Sequence, residues 1–423
     1  MKLTVIAAAC LCTAATSGVH AAEPAAVAPG SLAEAIQRGQ PLSSLRLRDE
    51  RVEQEGKTET ANALTMRTLL GWQTAPLHGF AVGAQLINVG VFDDSYDNGD
   101  KGVVQPGRST FPRVADPDYT GINQLYIDWT GLTDTRFRLG RQSVKLDNVR
   151  FVGNVEFRQV MQVYDGVSVE TKALLPQTTL YAAHFDRVVQ VSTLMQDTGI
   201  NLLNLRHALS PTENLTGYGY FVGWDRASLQ TTSTRTLGVR LDGARPLSAD
   251  WKLLYTAEYA KQDPYQAGAA SIDSHYGRLG GGAQRGNWFA RIDYEVLSSN
   301  HGQSAFQTPL GTNHLFQGWV DKFLVTPKAG IRDTFVTAGG KVGPVMLQTE
   351  YHWFDSDVRF ASGAGTGSRY GTEWDVSATY PVRKDLVARI EYGSFREKDP
   401  YTATATSRVR DTEKLWVTAM YSF

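Results

Sequence analysis

Thiol chemistry is the first thing this 423-residue chain lacks: its only cysteines are Cys10 and Cys12. Both fall inside "MKLTVIAAACLCTAATSGVHAAEP", where one Lys precedes a short apolar run and Val19 and Ala21 form a cleavage-type site. That stretch reads as a signal peptide over 1–22, so the mature chain, starting near Glu23, excludes disulfides, thiolate metal sites and cysteine nucleophiles. Long hydrophobic runs are missing too; no later stretch approaches the roughly 20 apolar residues of a membrane helix. No G-x-S-x-G, H-E-x-x-H or P-loop pattern occurs, which removes the common catalytic signatures. His301 and His314 share one long segment without a third ligand, so no metal is assigned. "DDSYDNGDKG" has its Gly one position out of the EF-hand register and reads as an acidic solvated loop open to loose divalent binding, a calcium loop being the alternative. No cofactor and no nucleic-acid partner is expected. The formal charge is close to balanced, at −1.

What is present is alternation. In "KLWVTAMYSF" the residues Leu415, Val417, Ala419, Tyr421 and Phe423 share one face, with Lys414, Thr418 and Ser422 opposite. Trp251, Leu253, Tyr255, Ala257 and Tyr259 repeat the pattern, as do Trp288, Ala290, Ile292, Tyr294 and Val296, and then Leu386, Ala388, Ile390 and Tyr392. Further segments start near Leu45, Ala63, Phe80, Tyr119, Thr135, Tyr164, Thr178, Ile200, Asn214, Thr234, Ser274, Thr334, Val345 and Glu373. The total is about 18, an even number as bacterial outer-membrane barrels require.

The connections sort by length. Short turns are expected at "TAPLHG", "TGLTD", "LLPQ", "LSPTE", "PLSAD", "QRGN", "KVGP" and "YPVRKD". Longer polar stretches alternate with them, among them "DDSYDNGDKGVVQPGRSTFPRVADPD", "QDPYQAGAASID", 299–331, "DSDVRFASGAGTGSR" and "EKDPYTATATSRVR". Strict alternation of short and long predicts an all-β, up-and-down transmembrane barrel over 44–423, with periplasmic turns, extracellular loops and a wide interior. The terminal Phe423 resembles the closing-strand signal read by the barrel-assembly machinery. Residues 23–43 form a periplasmic lead-in, where Ser31 and Glu34 stand in capping-box spacing for a short helix. This lead-in is too short for a plug domain.

Placing the polar phase inside gives a lumen of mixed charge. Arg46, Arg48, Arg67, Arg136, Arg138, Arg240, Arg291 and Arg389 face Glu50, Asp128, Glu170, Asp242, Glu258, Asp293, Glu295, Glu350, Glu373 and Glu391. Two readings stay open: an arginine ladder suited to carboxylates, or ion pairs that brace the wall. The densest basic stretch is "DTRFRLGRQSVKLDNVRFVGNVEFRQVMQVYDG". It loses alternation after Asp147, and Phe151, Val152, Val155 and Phe157 suit a loop folded inward that carries Arg141, Arg150, Arg158 and Gln159 into the channel. "FQTPLGTNHLFQGWVDKFLVTP" (306–327) is irregular yet apolar. Lipid cannot take irregular backbone, so its Phe306 and Trp319 are expected to pack inside the barrel mouth. There His314, Gln317, Asp321 and Lys322 become the polar contacts of a gating loop.

Three segments, "LRLRDERVEQ…NALTMRTLLGW", "GRQSVKLDNVRFVGNVEFRQVMQVYDG" and "FQTPLGTNHLFQGWVDKFLVTP", resemble the alginate-export family of outer-membrane porin-like proteins, and the lead-in "SLAEAIQRGQPLSSLRLR" is similar too. The resemblance runs from about Ser31 to Phe423. It implies a barrel of commonly 18 strands forming a pore in the Gram-negative outer membrane. In the named member the pore passes alginate through an Arg-rich constriction with periplasmic partners. Arg46, Arg48, Arg67, Arg141, Asp147, Arg150, Arg158, Gln159 and Asp165 occupy motif positions. The mixed lumen departs from an obvious polyuronate exporter. The expected function is therefore a channel for hydrophilic, acidic solutes such as uronates or anionic oligo- and polysaccharide. The alternatives are an uptake porin for unrelated small solutes and an outer-membrane enzyme. Expected partners are outer-membrane lipid and lipopolysaccharide, the assembly machinery, the solute and periplasmic export proteins.

Overall fold

In the computed structural model the described residues are 28–363, 365–404, 407–408 and 410–423. The expected signal peptide and the first residues of the lead-in lie outside them. Ser31 caps a short helix, α1 (Leu32–Gln37), by accepting the Glu34 amide at 3.3 Å. Burial of Ala35 and a bond from the Trp72 indole to the Ile36 carbonyl, 2.9 Å, dock this helix against the barrel base.

Eighteen antiparallel strands follow: β1 (Ser44–Gln54), β2 (Ala61–Gln73), β3 (Phe80–Ser95), β4 (Tyr119–Trp129), β5 (Thr135–Gln142), β6 (Val163–Thr171), β7 (Thr178–Val189), β8 (Met195–Ser210), β9 (Glu213–Trp224), β10 (Thr234–Pro246), β11 (Trp251–Pro264), β12 (Ser274–Arg285), β13 (Trp288–Leu297), β14 (Ile331–Val342), β15 (Val345–Ser362), β16 (Gly365–Pro381), β17 (Leu386–Glu397) and β18 (Thr412–Ser422). β18 pairs with β1 from Ser44↔Ser422 to Gln54↔Thr412, which closes the sheet. Closure leaves no strand edge to solvate, the condition lipid imposes on a spanning sheet. All the expected strands form, and every short turn falls where its sequence placed it.

Two expectations are corrected. "DSDVRFASGAGTGSR" is not a loop: β15 and β16 continue through it with Phe360↔Gly367 and Ala361↔Thr366 in register. Phe360 stacks on Tyr370 at 4.9 Å and holds this tall hairpin from within, which an alternation count on polar residues misses. The outer connections are not uniformly long either, because residues 190–194 alone join β7 to β8. There β8 starts at Met195 and not near Ile200, since outward Asp197 and Asn201 hide the apolar period.

The outward phase carries Leu139, Leu203, Leu237, Leu279, Ile292 and Ile390, all exposed in a monomer and suited to lipid. Phe80, Trp129 and Phe137 make successive ring contacts of 6.3 and 5.5 Å at the turn end of β3–β5, an interfacial girdle. The inward phase is filled by two long outer connections, L3 (143–162) and L7 (298–330). They pack on the wall residues Tyr164, Phe185, Tyr276, Phe354 and Phe395, so the core lies inside the barrel.

Candidate functional site

L3 and L7 form one interlocked plug. Gly153 donates its amide to the Leu310 carbonyl at 2.9 Å, and Thr312 donates to Val149 at 2.9 Å. The Gln162 side chain adds a 3.1 Å bond to Leu310. Lumen backbone must be satisfied by protein where water is excluded, and these strand-like bonds do it. The interlock holds strained backbone: Val149 (φ 59) and Val155 (φ 50) are β-branched residues in the left-handed region. Such conformations cost about 1–3 kcal/mol each and persist where their surroundings over-determine them.

Arg150 sits at the centre. Its Nε donates to Glu295 at 2.9 Å, Nη2 to Gln317 at 2.9 Å, and the guanidinium lies 4.7 Å from the Phe316 ring. Gln317 also donates to Glu295, so L3, L7 and β13 share one buried node. Phe306 is fully buried between Phe151 and Tyr276, at 5.8 and 5.7 Å. Gly318 has φ +78, and a Cβ there would meet the Glu373 carboxylate at 2.3 Å; only glycine fits this turn. The next two amides, of Trp319 and Val320, donate to Asp375 and Glu373 at 3.4 and 2.7 Å.

A second node joins L3 and L7 to β1 and β18. Arg158 donates to Glu50 at 2.9 Å and to Asp321 at 2.7 Å. Lys414 donates to Asp321 at 3.0 Å, and His314 Nδ1 lies 2.8 Å from it. Burial opposes ionisation of Asp321, but Lys414, His314 and Arg158 outweigh it and hold its carboxyl well below the usual range. Burial pushes His314 below the ordinary histidine value despite Asp321. Burial, with Lys414 nearby, brings the Lys322 ammonium down to about 7.

The remaining predicted residues divide by location. Arg46 clamps L3 through Gln159 Oε1 (2.9 Å) and the Glu156 carbonyl (2.7 Å). Gln159 in turn takes the Asp116 carboxylate at its amide, 2.7 Å. Arg48 lies 4.2 Å from the Phe157 ring, and Arg67 is buried with Nε and Nη1 unpartnered among the described residues. Asp147 accepts from Asn204 at 2.7 Å; burial pushes its carboxyl up, against Arg240. Arg138 pairs with Asp128 at 2.6 Å lower on the wall, and Arg136 faces Glu170 at 3.7 Å near the turn end. Arg141 and Asp165 are not in the lumen. They pair at 2.7 Å on the outward phase, with Leu125 and Leu139 beside them, because alternation from Arg138 through Gly140 to Gln142 turns Arg141 out.

The plug separates two cavities. An outer one of about 560 Å³ is lined by Arg158, His314, Asp321, Lys322 and Lys414. An inner one of about 300 Å³ lies beneath Phe316 and Gln317, against Arg206, Arg240, Arg278, Arg291 and Glu350. Asp293 accepts from both Arg278 (3.0 Å) and Arg291 (2.7 Å), and Arg240 binds Asp242 (2.9 Å) and Glu258 (3.2 Å). Sequence reasoning did not single out Arg206, Arg278, Asp116 or the role of Lys414. Arg278 was readable from register, two positions past inward Tyr276 and so on the same face; Asp116 lies in an irregular loop and carries no periodic signal. In the acidic 93–102 loop, Asp97 is occupied by the Gly99 and Gln105 amides and by Arg113. No metal-ligating cluster occurs among the described residues.

A closed 18-strand barrel with an apolar belt and a charged lumen crossed by inward loops defines a porin-type channel of the outer membrane. The chain belongs to the alginate export family, which matches residues 83–295. Its fold is shared with solved porins. Acinetobacter baumannii OccAB2 superposes with a TM-score of 0.69 at 15% identity, covering 92% of this chain and 99% of that one. Pseudomonas aeruginosa OpdK, solved with vanillate, gives 0.65 at 15% identity over 91% and 98%. Pseudomonas aeruginosa OccK2 (OpdF), solved in complex with glucuronate, gives 0.66 at 15% identity over 92% and 99%. Comparison with curated proteins finds no match.

Proposed function

We propose that the chain is a passive outer-membrane channel for small acidic solutes, uronates among them, with the L3–L7 plug as its constriction. The observation that carries this reading is the pair of cavities on either side of residues 313–317, the outer lined by Arg158, Lys322 and Lys414 and the inner by four arginines shared with Asp147, Asp242, Glu295 and Glu350. Sites for small molecules usually measure about 300–1,000 Å³, the scale of both cavities and not that of a threaded polymer. The arginines are shared among carboxylates, and a solute carboxylate can join such a set by exchanging partners, so that neither charge is stranded. Two solved structures of this fold hold vanillate and glucuronate, each of which carries a carboxylate.

The family name keeps a second reading in view, export of an acidic polysaccharide with periplasmic partners. Liposome swelling separates them. Glucuronate is expected to enter protein-loaded vesicles faster than glucose, and Arg240→Ala to reduce the difference. Equal rates for the two sugars contradict acidic selectivity, and block by polyuronate favours the exporter.

A further inference from the structure

The Arg158 node differs from the other ion pairs of the lumen in one respect: its carboxylate belongs to the loop that shuts the channel. Asp321 Oδ2 takes Arg158 Nη2 at 2.7 Å and Lys414 Nζ at 3.0 Å, while Oδ1 faces His314 Nδ1 at 2.8 Å. On the wall, Glu50 lies 2.9 Å from Arg158 and 3.8 Å from Lys414. Lys322 follows Asp321 and, among the described residues, has Gln54 alone within hydrogen-bond reach, at 3.5 Å. Asp116 also lies 3.8 Å from Arg158, so three cations face three carboxylates, of which Asp321 alone lines the outer cavity of about 560 Å³ together with the three cations.

We propose that Arg158, Lys414, Lys322 and His314 form a carboxylate-binding site, that Asp321 occupies it as a built-in substitute for the solute, and that an arriving solute carboxylate displaces it. This rests on the channel reading above. The exchange leaves every cation paired, since one carboxylate replaces another in the same donor set, and Asp321 moves into the water of the outer cavity. It also releases strain, because Asp321 is held at φ 65 in the closed loop. The segment 318–324 keeps the amide bonds of Trp319 and Val320 to Asp375 and Glu373, the Asn313 bond to the Leu324 carbonyl, and the packing of Phe323 on Phe354, Tyr370 and Phe395. Residues 310–317 stay fixed to L3 through Gly153 and Arg150. Solute arrival is thereby coupled to movement of the Asp321–Lys322 turn, between these two anchors.

Single-channel recording of the full chain in planar bilayers tests this, with glucuronate added on the loop side and glucose as the uncharged match. The wild type is expected to shift to a larger conductance level as glucuronate rises, and to ignore glucose. Asp321→Asn is expected to show the larger level without glucuronate and to lose the response. A conducting, anion-selective wild type whose Asp321→Asn variant keeps both its conductance and its response overturns this inference alone; a wild type that does not conduct overturns the channel reading instead. Should Asp321→Asn fail to fold, Lys322→Gln carries the test, because it breaks no ion pair among the described residues. Its half-maximal glucuronate concentration is expected to rise about tenfold, and an unchanged value overturns the proposal.

Discussion

The amide of Gly153 meets the carbonyl of Leu310 at 2.9 Å, and through that bond L3 and L7 act as one body. Neither loop spans the lumen alone. L3 brings Arg150 and Arg158, L7 brings Gln317 and Asp321, and the wall strands supply Glu295, Glu50 and Lys414.

Arg150→Ala should loosen this body. It strands Glu295 and Gln317 in a buried site, and breaking one side of a buried pair typically costs about 3–5 kcal/mol. The expected outcome is faster proteolysis within L3 and L7 and a higher, noisier conductance, read by limited trypsin digestion and bilayer recording. Intact loops and a quiet wild-type trace would argue that Arg150 is dispensable.

Replacing 306–327 by a short Gly-Ser link should raise conductance while the barrel still folds, since the wall strands β13 and β14 pair without the loop. An unchanged conductance contradicts the assignment of L7 as the constriction.

Asp293→Asn should increase anion selectivity. Its carboxylate neutralises Arg278 and Arg291 together, so its removal leaves two guanidinium groups facing the inner cavity. The reversal potential in a salt gradient is the readout, and a shift toward cations contradicts the predicted sign.

Lys322 sets a pH dependence. Its ammonium is brought down to about 7 in the folded protein, so the charge is present below that pH and lost above it. Anion flux should fall between pH 6 and pH 8, and Lys322→Gln should flatten that step. The linkage sign follows: because the folded value lies below the unfolded one, this group destabilises the fold most below pH 7, and the penalty fades toward the ordinary lysine value. A flux that rises with pH contradicts this role.

Arg141→Ala separates lumen from lipid face. Its partner Asp165 would lose this ion pair on the outward phase, where a lone Arg or Lys costs up to about 2–4 kcal/mol at the midplane and a carboxylate less. Stability in urea should drop while conductance and selectivity stay at wild-type values; an altered conductance would place Arg141 on the solute pathway.

The barrel was legible in the sequence because lipid enforces a period of two on every strand, from Trp288–Val296 to the closing Leu415–Phe423. Inward folding of L7 was legible for the same reason, since Phe306 and Trp319 need a dry partner and irregular backbone cannot face lipid. Partner choice was not. Arg141 and Arg150 look alike in a basic run, yet one faces outward and the other holds the plug, and only strand register and the turn after Gln142 decide it. The tall β15–β16 hairpin was hidden because its polar outward residues stand above the apolar belt, where alternation no longer carries hydrophobicity.

The most direct test of the channel reading is the single-channel current of the purified wild type in a planar bilayer under a salt gradient. Stepwise openings with a reversal potential on the anion side are predicted, the current falling when Arg240 or Arg291, which line the inner cavity, is replaced by Ala. Absence of conductance, or a cation-selective current indifferent to those arginines, would contradict it.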